Sequence, residues 1–320
     1  MKKVTVIIPS YNEEESLPLL YKALTEVIDK PEMQAYTWEL LLVNDGSKDS
    51  TLDVIRELRT RDSRVCYVDL SRNFGKENAM LAGLDYATGD CVILMDADLQ
   101  DPPVVMEQML AKWEEGYDDV YAKRVSRGRE SWLKKTLSLG FYSILNRMSK
   151  VEMLQNVGDF RLLDRRCVDV LCAMRESDRY SKGLFCWIGY RKAEVLFDRG
   201  DRVAGTTSWS MKTLAKLAIS GIISFTSAPL QIATILGSAV SALAFLYLIW
   251  VFIKTMIWGD PVAGFPALAC IILFLGGFIL LCLGIIGEYI ARIYNEVKRR
   301  PVYIAREYNG ELIDRQKRYE

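Results

Sequence analysis

Along the N-terminal part of the chain, short and nearly unbroken apolar runs alternate with longer segments of helical periodicity. "KVTVIIP" (3–9) predicts a strand ended by proline. "YNEEESLPLLYKALTEVID" predicts a helix, with Asn12 as its N-cap and acids in its first turn, where the helix dipole favours negative charge. "WELLLVNDGSKDSTLDVIREL" predicts a strand, an Asn-Asp-Gly-Ser turn and a helix. "RVCYVDLS" follows as a third strand, "KENAMLAGLDYAT" as a helix and "GDCVILMDAD" as a fourth strand. Strands of continuous Val, Ile and Leu are buried on both faces. Their alternation with helices predicts an α/β fold built on a mostly parallel sheet.

The pattern changes towards the C-terminus. Residues 219–253 carry no charge, nor do residues 262–287, and each run exceeds the roughly 20 residues a helix needs to cross a hydrocarbon core. Two transmembrane helices are predicted, at about 230–256 and 265–289. They follow a cytosolic domain (1–210) and a juxtamembrane or interfacial segment (211–229), and precede a cytosolic tail (291–320). The loop between the spans holds only Lys254 and Asp260, whereas Lys212, Lys216, Arg292, Lys298, Arg299 and Arg300 flank them. The positive-inside rule therefore places both termini in the cytoplasm, at the inner (plasma) membrane. Residues 131–150 read equally as a cationic amphipathic helix at the bilayer surface or as a helix packed on the core.

Composition narrows the chemistry. Lys plus Arg balances Asp plus Glu at 41 each, so net charge points to no nucleic-acid partner. There is no histidine, and the seven cysteines form no CxxC pair. The commonest general base is absent, and a zinc site is not expected. The N-terminus lacks a signal-peptide pattern.

In parallel sheets, ligands bind beyond the carboxyl ends of the strands. Three predicted strands end there in polar clusters: Tyr11, Asn12 and Glu13; Asn44 and Asp45; Asp96 and Asp98. Each alone is an ordinary turn, and Asp45 serves equally as a turn former and N-cap. No GxGxxG or P-loop follows a strand, which removes dinucleotide and P-loop chemistry. Asp96 and Asp98 alternate in an extended turn and so point the same way. A divalent cation relieves their repulsion, and hard oxygen donors select Mg2+ or Mn2+, which bridge such oxygens to a substrate diphosphate.

"VIIPSYNEEESL", "LLVNDGSKDST", "LSRNFGKENAMLAGLDYATGD" and "LMDADLQDPP" resemble the successive motifs of an inverting, family-two nucleotide-sugar glycosyltransferase of GT-A-like, Rossmann-type fold. "GDFRLLDRR", "RYSKGLFCWIGY", "RVAGTTSWS" and "LGIIGEYIARIYNEVKRRPVYI" are similar to the polyprenyl-phosphate branch of that family, which includes dolichol-phosphate mannose synthase and the bactoprenol glucosyltransferases. The resemblance implies transfer of a hexose, glucose or N-acetylglucosamine foremost, from a UDP-sugar to undecaprenyl phosphate for cell-envelope glycans. It also implies a tetramer packed through the C-terminal tail. Pro9, Tyr11, Glu13 and Asp45 would hold the nucleoside, with Lys76 near the diphosphate and Asp96 at the ribose and diphosphate. Asp98 and Gln100 would ligate the metal. Asp159 would stand at the reacting centre as an orienting group, making Asp96, Asp98 and Asp159 the catalytic set. Arg124, Lys135, Ser138 and Arg202 would grip the acceptor phosphate. Two departures stand out. Thr207-Ser208-Trp209 replaces a Ser-Lys-Trp of the relatives, and Lys135 stands where an arginine is usual, supplying charge without a bidentate fork. Two other functions share the N-terminal motifs: a processive polysaccharide synthase, disfavoured by the lack of QxxRW, and a non-catalytic membrane scaffold.

Overall fold

The structure, a computed structural model, describes residues 1–125, 154, 157–198, 228–258 and 264–313. It divides into two compact units, Met1–Ala215 with Pro301–Glu320, and Lys216–Arg300.

The apolar runs of the first unit become β1 (Lys2–Ser10), β2 (Tyr36–Asn44), β3 (Val65–Leu70) and β4 (Cys91–Leu94). They pair in parallel in the order β4-β1-β2-β3. The helices α1 (Ser16–Ile28), α2 (Thr51–Arg61) and α3 (Lys76–Tyr86) connect them. Beyond β4 come α4 (Val105–Glu114), β5 (Asp119–Arg124), β6 (Val157–Asp164), α5 (Arg165–Ala173), α6 (Ser181–Trp187) and β7 (Lys192–Phe197). Near the C-terminus lie β8 (Ala305–Tyr308) and β9 (Glu311–Leu312). Among the described residues the sheet has the order β7-β5-β6-β4-β1-β2-β3-β8-β9. Only β6 and β8 run against the common direction, so the sheet is mostly parallel, as the sequence predicts.

Both faces are covered, which is why the central strands β1, β2 and β4 are mostly apolar. On one face Val4, Val6, Ile8, Leu40 and Leu42 pack with Leu20 and Leu24 of α1, Ile55 of α2 and Met106, Met109 and Trp113 of α4. On the other, Ile7 and Val43 meet α3 at Gly83, where a Cβ would lie 3.3 Å from Val43 Cγ2 and would collide with Ile7. Glu39 is one of several buried charges. Glu39, opposite Thr5 in the β1–β2 register, accepts from Thr5 Oγ1 at 2.6 Å, from the Thr88 N–H at 3.1 Å and from Lys3 Nζ at 3.1 Å. Burial alone would raise the Glu39 carboxyl, but these donors outweigh it and hold it below its ordinary value.

Two local expectations change. Asn12 is not an N-cap: α1 starts at Ser16 with no side-chain cap, and Asn12 adopts φ +56°. Its side chain is taken by another turn, Asn12 Oδ1 accepting from the Lys48 N–H at 2.9 Å. Residues 301–313, read from sequence as part of a tail, supply two strands to the sheet. Their apolar content is too low and too short to announce a strand on its own.

The second unit holds α7 (Ala228–Trp258) and α8 (Phe265–Val297), which cover both predicted spans. Within α8, Phe274–Val297 contains an 18-residue window of mean hydropathy 2.0 and is long and apolar enough to cross a membrane. Ala233–Tyr247 of α7 is a shorter apolar stretch. Side chains such as Leu246, Ile279 and Leu280 are exposed, as in helices that face lipid. The helix α8 continues past the apolar stretch predicted for it, through Glu288, Arg292 and Glu296, to Val297.

Candidate active site

The strand ends meet at a topological switch point. β1 has β2 on one side and β4 on the other, and the chain leaves these neighbours by crossovers in opposite directions, opening a crevice beyond their carboxyl ends. Register brings the polar residues level: Ser10 pairs with Asn44, and Asn44 with Asp69. The Asp45 N–H continues the β1–β2 ladder onto the Ser10 carbonyl at 2.9 Å, and the Met95 N–H bonds the Ile7 carbonyl at 3.0 Å. Tyr11, Glu13, Asp45 and Asp96 therefore share one rim.

Asp45 is buried, and it is not the cap of α2, whose start has no side-chain cap. Its Oδ1 and Oδ2 accept from the Phe74 and Gly75 N–H groups at 2.7 and 2.9 Å. Burial pushes its carboxyl above the ordinary aspartate value, against the pull of those two donors and Arg72. Gly46, at φ +63°, lets the same turn lie against the 72–73 backbone; a Cβ there would stand 2.6 Å from Asn73 N. On the neighbouring turn, Tyr11 is 40 % exposed and open to a ligand, while the Glu13 N–H donates to Thr51 Oγ1 at 2.8 Å and Ser16 Oγ bonds the Glu13 carboxylate. Pro9 stands opposite Val43 in the register.

Lys76, the first residue of α3, joins the two halves of the crevice. Its Nζ lies 2.6 Å from Asp96 Oδ1 and 2.6 Å from Asp159 Oδ2. Burial alone would lower Lys76, but the two carboxylates outweigh it and hold it above its ordinary value. Burial would likewise raise Asp159, yet Lys76, then Lys182 and Arg161, keep it well below the usual carboxylate range. The side chain of Lys76 keeps 43 % of its surface and that of Asp96 29 %, against 11 % for Asp159. The solvent side of the constellation is therefore Asp96 and the lysine.

Three residues around this constellation carry no role in the sequence reading. Glu77 accepts from the Ser181 N–H at 3.0 Å, and burial and the nearby Asp159 push its carboxyl up. Lys182, on α6, contributes charge at Asp159. Arg161 is 1 % exposed, pairs with Asp119 at 3.2 Å and stacks on Phe185 with its guanidinium 3.9 Å from the ring centre. Glu77 and Lys182 lie inside motifs quoted above, "GKEN" and "RYSKG", but only the fold shows that these motifs meet.

Asp98 and Gln100 lie on one turn bent by Leu99 at φ +58°, with the Gln100 N–H donating to Asp98 Oδ1 at 3.2 Å. Among the described residues no group of three or more acidic or cysteine side chains is gathered for a metal ion. Two oxygen-bearing side chains on one turn nonetheless suit magnesium or manganese, ions that complete their shell with substrate oxygens and water. Asp101 is buried and shapes the turn ahead of Pro102 and Pro103. Of the residues assigned to the acceptor phosphate, Arg124 closes β5; its Nη2 would stand 3.2 Å from a Cβ on Gly158, the neighbour of Asp159. Lys135, Ser138 and Arg202 lie outside the described residues, as does the segment 131–150.

A GT-A-like α/β sheet with acidic strand ends around a lysine defines a class of sugar-transferring enzyme, and comparison with known proteins agrees. Residues 5–171 match Glycosyl transferase family 2, and residues 228–293 match the GtrB C-terminal hairpin. The chain belongs to glycosyl transferase family 2 and is a glycosyltransferase. An uncharacterized glycosyltransferase of Synechocystis sp. is 45 % identical over 96 % of this chain and 96 % of its own length. The SfII prophage-derived bactoprenol glucosyl transferase of Shigella flexneri is 42 % identical over 94 % of this chain and 97 % of its own. Among solved structures, glucosyl-3-phosphoglycerate synthase of Mycobacterium tuberculosis, in complex with Mn2+, UDP-glucose and phosphoglyceric acid, aligns over 70 % of this chain and 79 % of that one, with a TM-score of 0.45 and 18 % identity.

Proposed function

We propose that this enzyme transfers a hexose, glucose or N-acetylglucosamine, from UDP to undecaprenyl phosphate at the cytoplasmic face of the plasma membrane, inverting the anomeric centre. The observation that carries the reading is the Asp96–Lys76–Asp159 constellation at the switch-point crevice. Support for the acceptor comes from relatives named bactoprenol glucosyl transferase, whose similarity runs through the hairpin as well as the sheet.

In this reading Tyr11, Glu13 and Asp45 hold the nucleoside, and Lys76 lies along the diphosphate. Asp98 and Gln100 would hold a magnesium or manganese ion, which supplies positive charge to the departing diphosphate. An oxygen of the lipid phosphate attacks the anomeric carbon, the bond to the β-phosphate oxygen breaks, and UDP leaves with the electron pair. The attacking oxygen is already anionic near neutral pH, so no proton has to be removed, and a chain without histidine can run the reaction. Asp159 orients Lys76 and shapes the field at the reacting carbon rather than acting as a base. Arg124 would receive the acceptor phosphate, with Lys135, Ser138 and Arg202 completing the grip.

Topology supports the membrane assignment. Residues on both sides of the hairpin, 1–125 and 301–313, build one sheet, so the chain between them leaves and returns on the same side of a bilayer. If α8 crosses, α7 crosses too. The cation-rich flanks favour the cytoplasm as that common side.

The test supplies purified enzyme in detergent or nanodiscs with undecaprenyl phosphate and radiolabelled UDP-glucose, UDP-N-acetylglucosamine or other nucleotide sugars. A chloroform-soluble, mild-acid-labile labelled lipid is expected, lost with EDTA and restored by magnesium or manganese. High-mass polymer, or no lipid product with any donor, overturns the proposal.

A further inference from the structure

The strand that follows the hairpin is wired into the donor half of the crevice. β8 lies antiparallel on β3, pairing Val68 with Tyr308, Asp69 with Glu307 and, after a register shift, Leu70 with Ala305. The Ser71 N–H donates to the Ile304 carbonyl at 2.9 Å, just where the 71–75 loop begins, and Asp45 holds the far end of that loop. Several contacts merely fasten the strand: Arg56 to Glu307 at 2.8 Å, and the Tyr67 N–H to Asn309 Oδ1 at 2.8 Å.

One contact reaches further. Arg306 Nε donates to Asp69 Oδ2 at 2.7 Å, with Nη2 on the same oxygen. Asp69 is fully buried, and its other oxygen accepts from Asn44 Nδ2 at 2.7 Å. Asn44 Oδ1 in turn accepts from the Ser47 N–H at 3.2 Å, and Ser47 Oγ accepts from the Asn12 N–H at 3.0 Å. The chain of bonds thus runs from Arg306 to the two turns, 11–13 and 44–47, that carry Tyr11, Glu13 and Asp45. A buried carboxylate needs a compensating charge and a full set of donors to keep one orientation. An amide whose oxygen and nitrogen are both engaged, like that of Asn44, is fixed only while each partner is fixed.

We propose that Arg306 is a positioning residue for nucleotide binding: it compensates and orients Asp69, which sets Asn44 and through it both nucleoside-binding turns. This rests on the reading of Tyr11, Glu13 and Asp45 as the nucleoside site. The C-terminal edge of the sheet is then part of the donor site, and the hairpin is followed by a residue on which substrate affinity depends.

The experiment measures nucleotide affinity and melting temperature of the full-length enzyme in nanodiscs. UDP, GDP and dTDP are offered to the wild type, and the tightest is carried forward. Arg306→Ala is expected to weaken that nucleotide by roughly threefold to thirtyfold, the range usual for a residue acting through a network. Arg306→Lys, which keeps the charge but not the fork, recovers part of the loss and carries the test if the alanine variant does not fold. Arg56→Ala loosens the same strand through Glu307 and lowers the melting temperature without changing affinity. Unchanged affinity in the Arg306 variants, or an equal loss in Arg56→Ala, overturns the inference. Asp45→Asn tests the underlying reading separately: if it binds nucleotide like the wild type, or if the wild type binds none of the three, the site itself is misassigned and the inference falls with it.

Discussion

Lys76 and Asp159 form an ion pair at 2.6 Å across the crevice, and the same ammonium is equally close to Asp96. One lysine therefore holds together two carboxylates from different parts of the sheet, Asp96 just beyond the end of β4 and Asp159 on β6. Lys76→Met removes that link and the positive charge that would lie along the diphosphate. Turnover is expected to fall at least about a hundredfold, the usual scale for losing a preorganised electrostatic contact. Lys76→Arg should keep measurable activity. Single-turnover kinetics with saturating donor check both.

The same pair fixes a pH dependence. Asp159 is held below and Lys76 above the ordinary value, so neither changes charge between about pH 5 and about pH 9. Asp159→Asn should then lower turnover by a constant factor at every pH in that window. An Asp159 acting as a titrating base would instead make the loss grow with pH.

Gly46 is required twice, by its φ of +63° and by the backbone of residues 72–73 against it. Gly46→Ala should weaken nucleotide binding at least tenfold and lower the melting temperature. Gly75 also has a positive φ, +93°, but open space where a Cβ would go. Gly75→Ala should show only the cost of backbone strain, about 1–3 kcal/mol, since φ +93° with ψ 153° is a region nearly reserved for glycine. Thermal unfolding with and without nucleotide separates the two.

Glu39 links stability to acid. Its folded carboxyl lies below the ordinary glutamate value, so its contribution is present above about pH 4.3 and is lost as the pH falls through the folded value. Glu39→Gln, which leaves part of the Thr5, Thr88 and Lys3 donor set unmatched, should cost about 1–3 kcal/mol at neutral pH. The gap to wild type should close on acidification. Chemical unfolding followed at several pH values reads it directly.

The frame of this enzyme is written plainly in its sequence. Val4–Ile8, Leu40–Val43 and Cys91–Leu94 are apolar because each is covered on both faces, and a parallel strand so covered has no other way to read. The acidic strand ends were equally visible, since Asp45 and Asp96 follow those runs directly. What was hidden depends on distant segments meeting. Nothing near Glu77 in sequence announces Ser181, and nothing near Asp69 announces Arg306. Asparagine ahead of a periodic run usually caps the helix, but a tertiary bond from the Lys48 N–H takes the Asn12 side chain instead. β8 and β9 escaped because four residues and two residues are too few to display a period.

The pairing of β3 with β8 also sets an order of events during synthesis. Tyr67 and Asn309, which bond to each other across that edge, lie 242 residues apart, with both apolar helices between them. A ribosome making this chain releases β3 with its outer edge bare, and the strand that covers it emerges only after the hairpin. A bare edge invites pairing with other chains until its own partner arrives. The sheet is therefore finished last, by a segment made only after α7 and α8. If α7 and α8 cross a bilayer as proposed, a molecule in which only one of them inserts has β8 on the far side and an unfinished sheet.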